Sequence, residues 1–198
     1  QYYRNPLSEN IIPAFNDFLK ALPGIKKKQG QYFNPLPTLS IFFHLLQANP
    51  QLHAEFAKLV DSLRNKEDQL LGVIILHELG EKPFALLTKE AQSRWNPQLS
   101  GVFRVSKANS PWQLDVLWSE FFATGKKAPL EKIIAEIHLM QGNITPENYK
   151  KQSNKTTEDK ESLGRYLLGH AASWSVGSNA TQHELVSFYL EADRKSVV

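Results

Sequence analysis

Two stretches of the sequence place together residue types that could do chemistry. In "HELGE", at 77–81, one imidazole and two carboxylates fall close together, a set that can bind a metal ion or move a proton. In "AASWSVGSNATQHE", at 171–184, an indole, several hydroxyls, an amide and an imidazole are crowded among small residues. The elements that carry each stretch decide whether these groups can converge.

The first stretch matches only part of a known metal-binding pattern. Zinc hydrolases of the H-E-x-x-H type use two histidines four residues apart on one helix, with the glutamate between them as the base. Here Glu81 stands where the second histidine would be, and Gly80 is expected to end the helix just before it. A small metal-dependent hydrolase using His77, Glu78 and Glu81 is the alternative hypothesis. The competing interpretation places His77 and Glu78 on the polar strip of a buried helix.

The second stretch supplies most of the candidate binding residues. Its small residues would let a helix approach a neighbour closely, with polar groups gathered where two helices meet. A further ring, at the start of "SPWQLDVLWSEFFATGKK" (110–127), is expected to stay partly exposed. The candidate binding residues are Trp112, Trp174, Ser178, Asn179 and His183.

Helix capping is the competing explanation of this second stretch. Gly177 or Asn179 could adopt a left-handed conformation that ends one helix. Thr181 and Glu184 then have the spacing of a capping box, which predicts that the last helix starts near Gln182.

The positions of apolar residues predict an all-α protein. They recur at helical spacing almost throughout, and alternation typical of a half-buried strand is hard to find. Asn49, Ser110 and Thr145 each precede a proline, which is a helix-start signal. We expect about nine helices, packed as antiparallel hairpins in an irregular, repeat-like array, at 8–22, 36–48, 50–64, 67–80, 83–94, 111–124, 128–140, 158–175 and 182–194.

Three features organise these helices. The 67–80 helix is apolar nearly all round, which predicts the centre of the N-terminal half. The segment 95–109 lacks a helical stripe, so the chain is either a single helical domain, 1–198, or two halves, 1–94 and 110–198, joined by this segment. The polar stretch 141–160 is expected to be a surface loop.

Aromatic and histidine residues are expected mainly in the core. On the 111–124 helix one face carries Leu114, Leu117, Trp118, Phe121 and Phe122, and Gly125 supplies a left-handed stop. Two histidines, His138 and His170, continue apolar stripes of their own helices, so we expect core or boundary positions for both. The stripe that includes His170 is Leu163, Tyr166, Leu167, Ala171 and Trp174.

Two segments of the C-terminal half resemble a group of bacterial helical proteins of unknown function. They are "LDVLWSEFFATGKKAPLEKII" and "AASWSVGSNATQHELVSFYLE", which fit the patterns L-D-x-L-W-x-x-F-x-A-T-G and A-x-W-S-x-x-S-N-A. The stretch "NPLPTLSIFFHLLQANP" fits more loosely. The resemblance implies a helical, repeat-like fold, and it brings no activity and no catalytic residues.

Composition and charge describe a chain able to fold by itself. It has 198 residues, 41% of them hydrophobic and 22% charged, within the range of globular proteins. It has no cysteine, which leaves the redox compartment open. The only methionine is Met140, so we expect that a preceding segment was removed. A cleaved signal peptide is one cause, and the location stays open between periplasmic or secreted and cytoplasmic.

The same data bear on partners and cofactors. The net charge of +3 is small, and the lysine clusters 26–28, 126–127 and 150–151 fall in expected turns, so we expect no nucleic-acid partner. No apolar run reaches the ~20 residues of a membrane span. No cofactor motif is present. The leading hypothesis is a non-catalytic module that binds another protein or a peptide, and an envelope or secreted structural domain is a further alternative.

Overall fold

The protein is all α-helical in a computed structural model that describes residues 8–29, 34–141 and 144–196. No strand occurs in these three ranges, which confirms the predicted fold class. The same ranges contain four short 3-10 segments, at Ser8–Asn10, Pro50–Leu52, Pro97–Leu99 and Ile137–Gln141. The helices are α1 (Ile11–Gln29), α2 (Leu36–Ala48), α3 (His53–Ser62), α4 (Lys66–Leu79), α5 (Glu81–Phe84), α6 (Lys89–Gln92), α7 (Pro111–Thr124), α8 (Lys127–Glu136), α9 (Pro146–Lys151), α10 (Thr157–Gln182) and α11 (Glu184–Ser196).

The chain divides into two compact units. The first contains residues 1–105 and 122–124, and the second contains 106–121 and 125–198. Repeat-like stacking of helix hairpins stays a prediction. No helix of the described residues has the length and apolarity that crossing a membrane requires.

Helix α4 is the centre of the first unit, as its sequence predicts. It packs against α2, α3, α5 and α6. Four consecutive residues, from Val73 to Leu76, are buried, which only a helix covered on several sides allows. Gly72 permits the closest approach, because a Cβ built there would lie 2.3 Å from a methyl carbon of Val60 on α3.

Aromatic rings fill the space around α4. Phe15 of α1 meets Phe42 of α2 and Phe56 of α3 edge to face, with ring centroids 5.1 and 4.9 Å apart. Phe43 lies 5.2 Å from Phe103, which follows the short Pro97–Leu99 turn. These contacts join α1, α2, α3 and the 97–105 segment in one core.

Two helix predictions for the first unit are wrong. The first helix does not stop at residue 22, because α1 continues through Pro23 to residue 29. The helix expected at 83–94 is two single turns, α5 and α6. The break arises because Thr88 caps α6, accepting from the Ala91 N–H at 3.3 Å, while its own hydroxyl donates to Asp61 at 2.9 Å.

Four residues of the predicted α7 stripe are buried in the second unit, Leu114, Leu117, Trp118 and Phe121, whereas Phe122 is only half-buried. Trp118 is buried, and its indole N–H donates to the Ser175 hydroxyl of α10 at 3.1 Å. Phe121 contacts Tyr189 of α11, and the Tyr189 hydroxyl donates to the Gly125 carbonyl at 3.0 Å. Gly125 has a φ of +67°, which confirms the left-handed stop.

Helix α10 is held to the 137–141 segment by its small residues. A Cβ built on Gly169 would lie 2.6 Å from the backbone nitrogen of Met140. Leu168, Ala172 and Val176 are buried on the same side. The backbones therefore approach as closely as glycine permits.

This packing reverses the predicted face of α10. The apolar stripe of this helix predicts an inside position for both Leu167 and Trp174, but Leu167 is 48% exposed and Trp174 is 76% exposed. His170 is also exposed, as is His138 after α8, so the core or boundary positions expected for both histidines are wrong. The reason is that α10 packs against the 137–141 segment through small residues such as Gly169 and Ala172. The face buried by this contact is not the one that carries the large apolar side chains.

The junction predicted after residue 175 is also displaced. Helix α10 continues to Gln182, and Gly177 lies inside it in an ordinary helical conformation. The capping box predicted at Thr181 does not form, because the Thr181 hydroxyl donates to the Ser178 carbonyl within α10 at 2.8 Å. The break comes at His183, whose φ of −132° leaves the helical region.

The capping box of this helix lies instead at its start. The Thr156 hydroxyl accepts from the Asp159 N–H at 3.1 Å, and the Asp159 carboxylate accepts from the Thr156 N–H at 2.9 Å. These bonds hold the pKa of Asp159 below its ordinary value. The start predicted at Thr145 is correct, because Thr145 caps α9 within the expected loop 141–160, of which 142 and 143 lie outside the described residues.

The lysine clusters lie mostly in helices rather than in turns. The first, 26–28, forms the last turn of α1, and the third, 150–151, forms the last turn of α9. Positive charge there stabilises a helix, because the free carbonyls of the last turn carry partial negative charge.

We predict that Gly169→Ala destabilises the protein. The added methyl group meets backbone atoms of residues 139 and 140, which cannot rotate away, so the free energy of unfolding should fall by about 1–3 kcal/mol. Urea unfolding followed by circular dichroism measures this change. Gly164→Ala, in the same helix with open space around its Cβ, should instead stabilise by about 0.5–1 kcal/mol. Equal effects of the two changes would contradict the close contact.

We also predict a large difference between two tryptophans of α7. Removing the buried ring in Trp118→Ala leaves a cavity and takes away the indole donor of the Ser175 hydroxyl, so the free energy of unfolding should fall by about 3–5 kcal/mol. Trp112 is only half-buried at the first turn of the helix, and Trp112→Ala should cost clearly less. Thermal unfolding of both variants makes the comparison. Similar small losses would place Trp118 outside the core.

Candidate functional site

A cleft in the first unit contains the residues of "HELGE". It has a volume of about 370 Å³ and lies between the end of α4, the start of α5 and residues 100–104. Gly80 ends α4 with a φ of +119°, so the chain turns sharply and Glu81 begins a new helix. The cleft is lined by His77, Glu78, Gly80, Glu81, Phe84, Ser100, Gly101 and Arg104.

Glu78 is the buried charge of this cleft, with 3% of its side chain exposed. Its Oε1 accepts from the Gly101 N–H at 2.8 Å. Arg104 donates to the backbone carbonyl of Glu78 at 2.7 Å, and its Nε lies 4.0 Å from Glu78 Oε2. The side chain thus ties the 100–104 segment to the last turn of α4, and Arg104 partly balances its charge.

His77 is fixed by two aromatic rings. Its imidazole stacks on Trp95, with centroids 3.6 Å apart and planes 14° apart, and meets Phe84 edge-on at 5.1 Å. Its Nδ1 lies 3.8 Å from Glu78 Oε1, too far for a hydrogen bond, and is buried without a hydrogen-bond partner. The ring therefore presents a polar atom in a fixed orientation.

The cleft does not have the geometry of the H-E-x-x-H helix. The turn at Gly80 separates Glu81 from the helix that carries His77 and Glu78. Across the ranges that the structure describes, no group of three or more histidine, aspartate or glutamate residues is arranged to hold a metal ion. The predicted end of the helix at Gly80 is correct.

The other candidate residues lie in the second unit, mostly on α10. Trp174 and Leu167 are seven residues apart, so they lie on one helix face about 10 Å from each other along the axis. His170, between them, packs against Tyr166 with ring centroids 4.4 Å apart and planes tilted by 57°. Ser178 continues this face one turn beyond Trp174. We call Leu167, His170, Trp174 and Ser178 the outer face of α10.

Polar groups near the end of α10 are used mainly within the helix. The Asn179 side-chain amide donates to the Ser175 carbonyl at 2.9 Å, on the side of the helix that carries Ala172 and Val176. The Ser178 hydroxyl accepts from the Gln182 amide at 3.2 Å. Such local bonds satisfy the side chains without a ligand.

A shallow depression lies where α10 meets α11, with a volume of about 530 Å³. His183 is one of its walls, and Phe188, 64% exposed, is another. The depression includes Thr181 and Glu184 but neither Trp174 nor Asn179.

The structure brings only some of the predicted binding residues together. Trp174 and Ser178 share the outer face of α10, whereas Asn179 points to another side and His183 ends the helix. Trp112 is on a different element, at the first turn of α7. Of the five candidates, only His183 is among the residues that line the depression between α10 and α11.

Sequence reasoning missed the residues that complete the first-unit cleft. Gly101 and Arg104, which line the cleft, and Trp95, which stacks on His77, come from the segment 95–109, which the sequence pattern identifies only as a connection between helices. The signal available was an aromatic ring and an arginine within a stretch lacking a helical stripe. The inside position predicted for Leu167 rests on its place in the apolar stripe that includes His170 and Trp174.

The chain matches no protein-family model, no curated protein and no solved structure. The resemblance to the bacterial helical group therefore stays a prediction. The function has to be argued from the two surfaces described above.

We predict that Glu78 stabilises the first unit. Glu78→Ala removes the acceptor of the Gly101 N–H and should lower the free energy of unfolding by about 1.5–3 kcal/mol. Glu78→Gln keeps an oxygen at this position and should cost less. The exposed neighbour in Glu81→Ala should change stability by less than about 0.5 kcal/mol. Urea unfolding ranks the three variants. An equal loss in the free energy of unfolding for Glu78→Ala and Glu81→Ala would contradict a stabilising role of the Glu78–Gly101 hydrogen bond.

Proposed function

We propose that this protein is a non-catalytic helical module that binds another protein or a peptide through the outer face of α10. The observation that carries the proposal is Trp174, an indole 76% exposed in the middle of a long helix. Tryptophan is among the residues most often responsible for binding energy at protein interfaces. Exposing the apolar surface of this ring to water is unfavourable in free energy, and a partner that covers the ring would remove this cost.

The surroundings of Trp174 support a binding role. Leu167, about two helical turns before Trp174 on the same face, is 48% exposed. The imidazole of His170 lies between the two side chains. The opposite face of α10 is buried through Leu168, Ala172 and Val176. The helix is thus held by one side, and the outer face contributes little to its packing.

The spacing on the outer face indicates the form of the partner. Two apolar anchors about 10 Å apart along a helix match side chains at positions i and i+7 of a second helix, with i+3 or i+4 between them. Gly177 and Ser178 leave room for the partner beyond Trp174, since nothing lies within 4 Å of a Cβ built on Gly177. We therefore propose an amphipathic helical segment as the ligand.

The hydrolase alternative using His77, Glu78 and Glu81 has no observation that favours it over binding. A nucleophile within hydrogen-bond distance of His77 and an oriented base are the features it requires. The His77 Nδ1 has no hydrogen-bond partner. It stays the second hypothesis.

Peptide selection against the full chain tests the binding proposal. Displayed peptides should enrich for apolar residues spaced at i, i+3 or i+4 and i+7, and the dissociation constant measured by calorimetry should rise at least about 30-fold in Trp174→Ala. The free energy of unfolding of this variant should stay within about 0.5 kcal/mol of the parent, because the ring is exposed.

Two leucines of equal exposure give a matched control. Leu167 and Leu86 are both 48% exposed, but Leu86 lies in the first unit. Leu167→Ala should weaken peptide binding, and Leu86→Ala should leave it unchanged. Peptides that bind the Leu167→Ala, Trp174→Ala double variant as well as the parent, or a selection that yields no such spacing, would contradict the proposal.

A further inference from the structure

We propose that the cleft at the end of α4 binds a small organic cation that donates N–H hydrogen bonds to Glu78. This inference concerns the first unit and is independent of the outer face of α10. It rests on a buried carboxylate with spare acceptor capacity, a fixed aromatic wall and an excess of negative charge.

The carboxylate of Glu78 is incompletely satisfied. A carboxylate can accept about four hydrogen bonds. One is supplied by the Gly101 N–H at 2.8 Å, while the Arg104 Nε stands 4.0 Å from Oε2, beyond hydrogen-bond distance. Because a charge that is 3% exposed has lost most of its water, a donor entering the cleft would replace that water.

The wall of the cleft can hold the apolar part of such a ligand. His77 is kept in one plane by its stack on Trp95, and Phe84 stands at right angles to it. The buried Nδ1 of His77 is a second polar atom without a partner. A flat or short apolar body can lie against these rings while its charged end reaches Glu78.

Charge and size define the ligand class. Glu78 and Glu81 place two negative charges in the cleft against the one positive charge of Arg104, so a cation is favoured over an anion. The Arg104 guanidinium donates to the Glu78 backbone carbonyl and is 63% exposed, so it neutralises the Glu78 carboxylate only in part. A volume of about 370 Å³ fits a small molecule.

Three probes of similar size that differ in charge test the proposal: benzylammonium, benzyl alcohol and benzoate. Each is titrated into the ¹⁵N-labelled full chain, and the Gly101 amide and the Trp95 indole report binding. Benzylammonium should cause a saturable shift of these signals with a dissociation constant on the order of 1 mM. The other two probes should not saturate. The indoles of Trp112, Trp118 and Trp174 are internal controls, because all three lie in the second unit, whereas Trp95 stacks on the cleft residue His77.

Three variants separate a charge effect from a folding defect. Glu78→Gln should abolish the saturable shift, whereas Arg104→Gln should tighten binding several-fold because it removes the competing cation. Glu55→Gln, an exposed glutamate on α3, should change nothing. If Glu78→Gln does not fold, the proposal is still tested in two ways. One is the comparison of benzylammonium with benzyl alcohol on the parent chain, and the other is the affinity of Arg104→Gln for benzylammonium. Equal shifts with benzyl alcohol, weaker binding in Arg104→Gln, or no saturation with benzylammonium would overturn the proposal.

Discussion

Close contact at a glycine sets the packing of each unit. In the first, Gly72 lets α4 lie against the side chain of Val60, and in the second, Gly169 lets α10 lie against the backbone of residues 139 and 140. Protein interiors are packed so densely that even one methyl group at such a point has to displace something. The position of each central helix follows from these contacts, and with it the orientation of the residues that face outward.

The sequence predicts local structure well where a signal is chemical. Proline after a polar residue marks the starts at Ser110 and Thr145, and Gly80 and Gly125 mark two ends. It fails where tertiary contacts overrule the pattern. In α10, the large residues Leu167 and Trp174 indicate one face, but the helix packs through Gly169 and Ala172 on another, and periodicity weighted by size cannot detect such a contact.

The candidate sites show the same limit. His77 and Glu78 stand out in the sequence, and their polar position at the end of a buried helix can be anticipated. Their partners cannot, because Trp95 and Arg104 come from the segment 95–109, where no local rule places a side chain. What the sequence does contain is the composition of the site. What it lacks is the turn at Gly101 that brings a backbone N–H to the carboxylate.

The bond between Tyr189 and Gly125 has a consequence for the order in which the protein can fold during synthesis. It joins residues 64 positions apart, and Val186 of the same helix is buried. The second unit therefore cannot close its core until residues 184–189 have left the ribosome. Until then, α11 does not bury the apolar face of α7. During this interval the second unit can associate with other chains or with a chaperone.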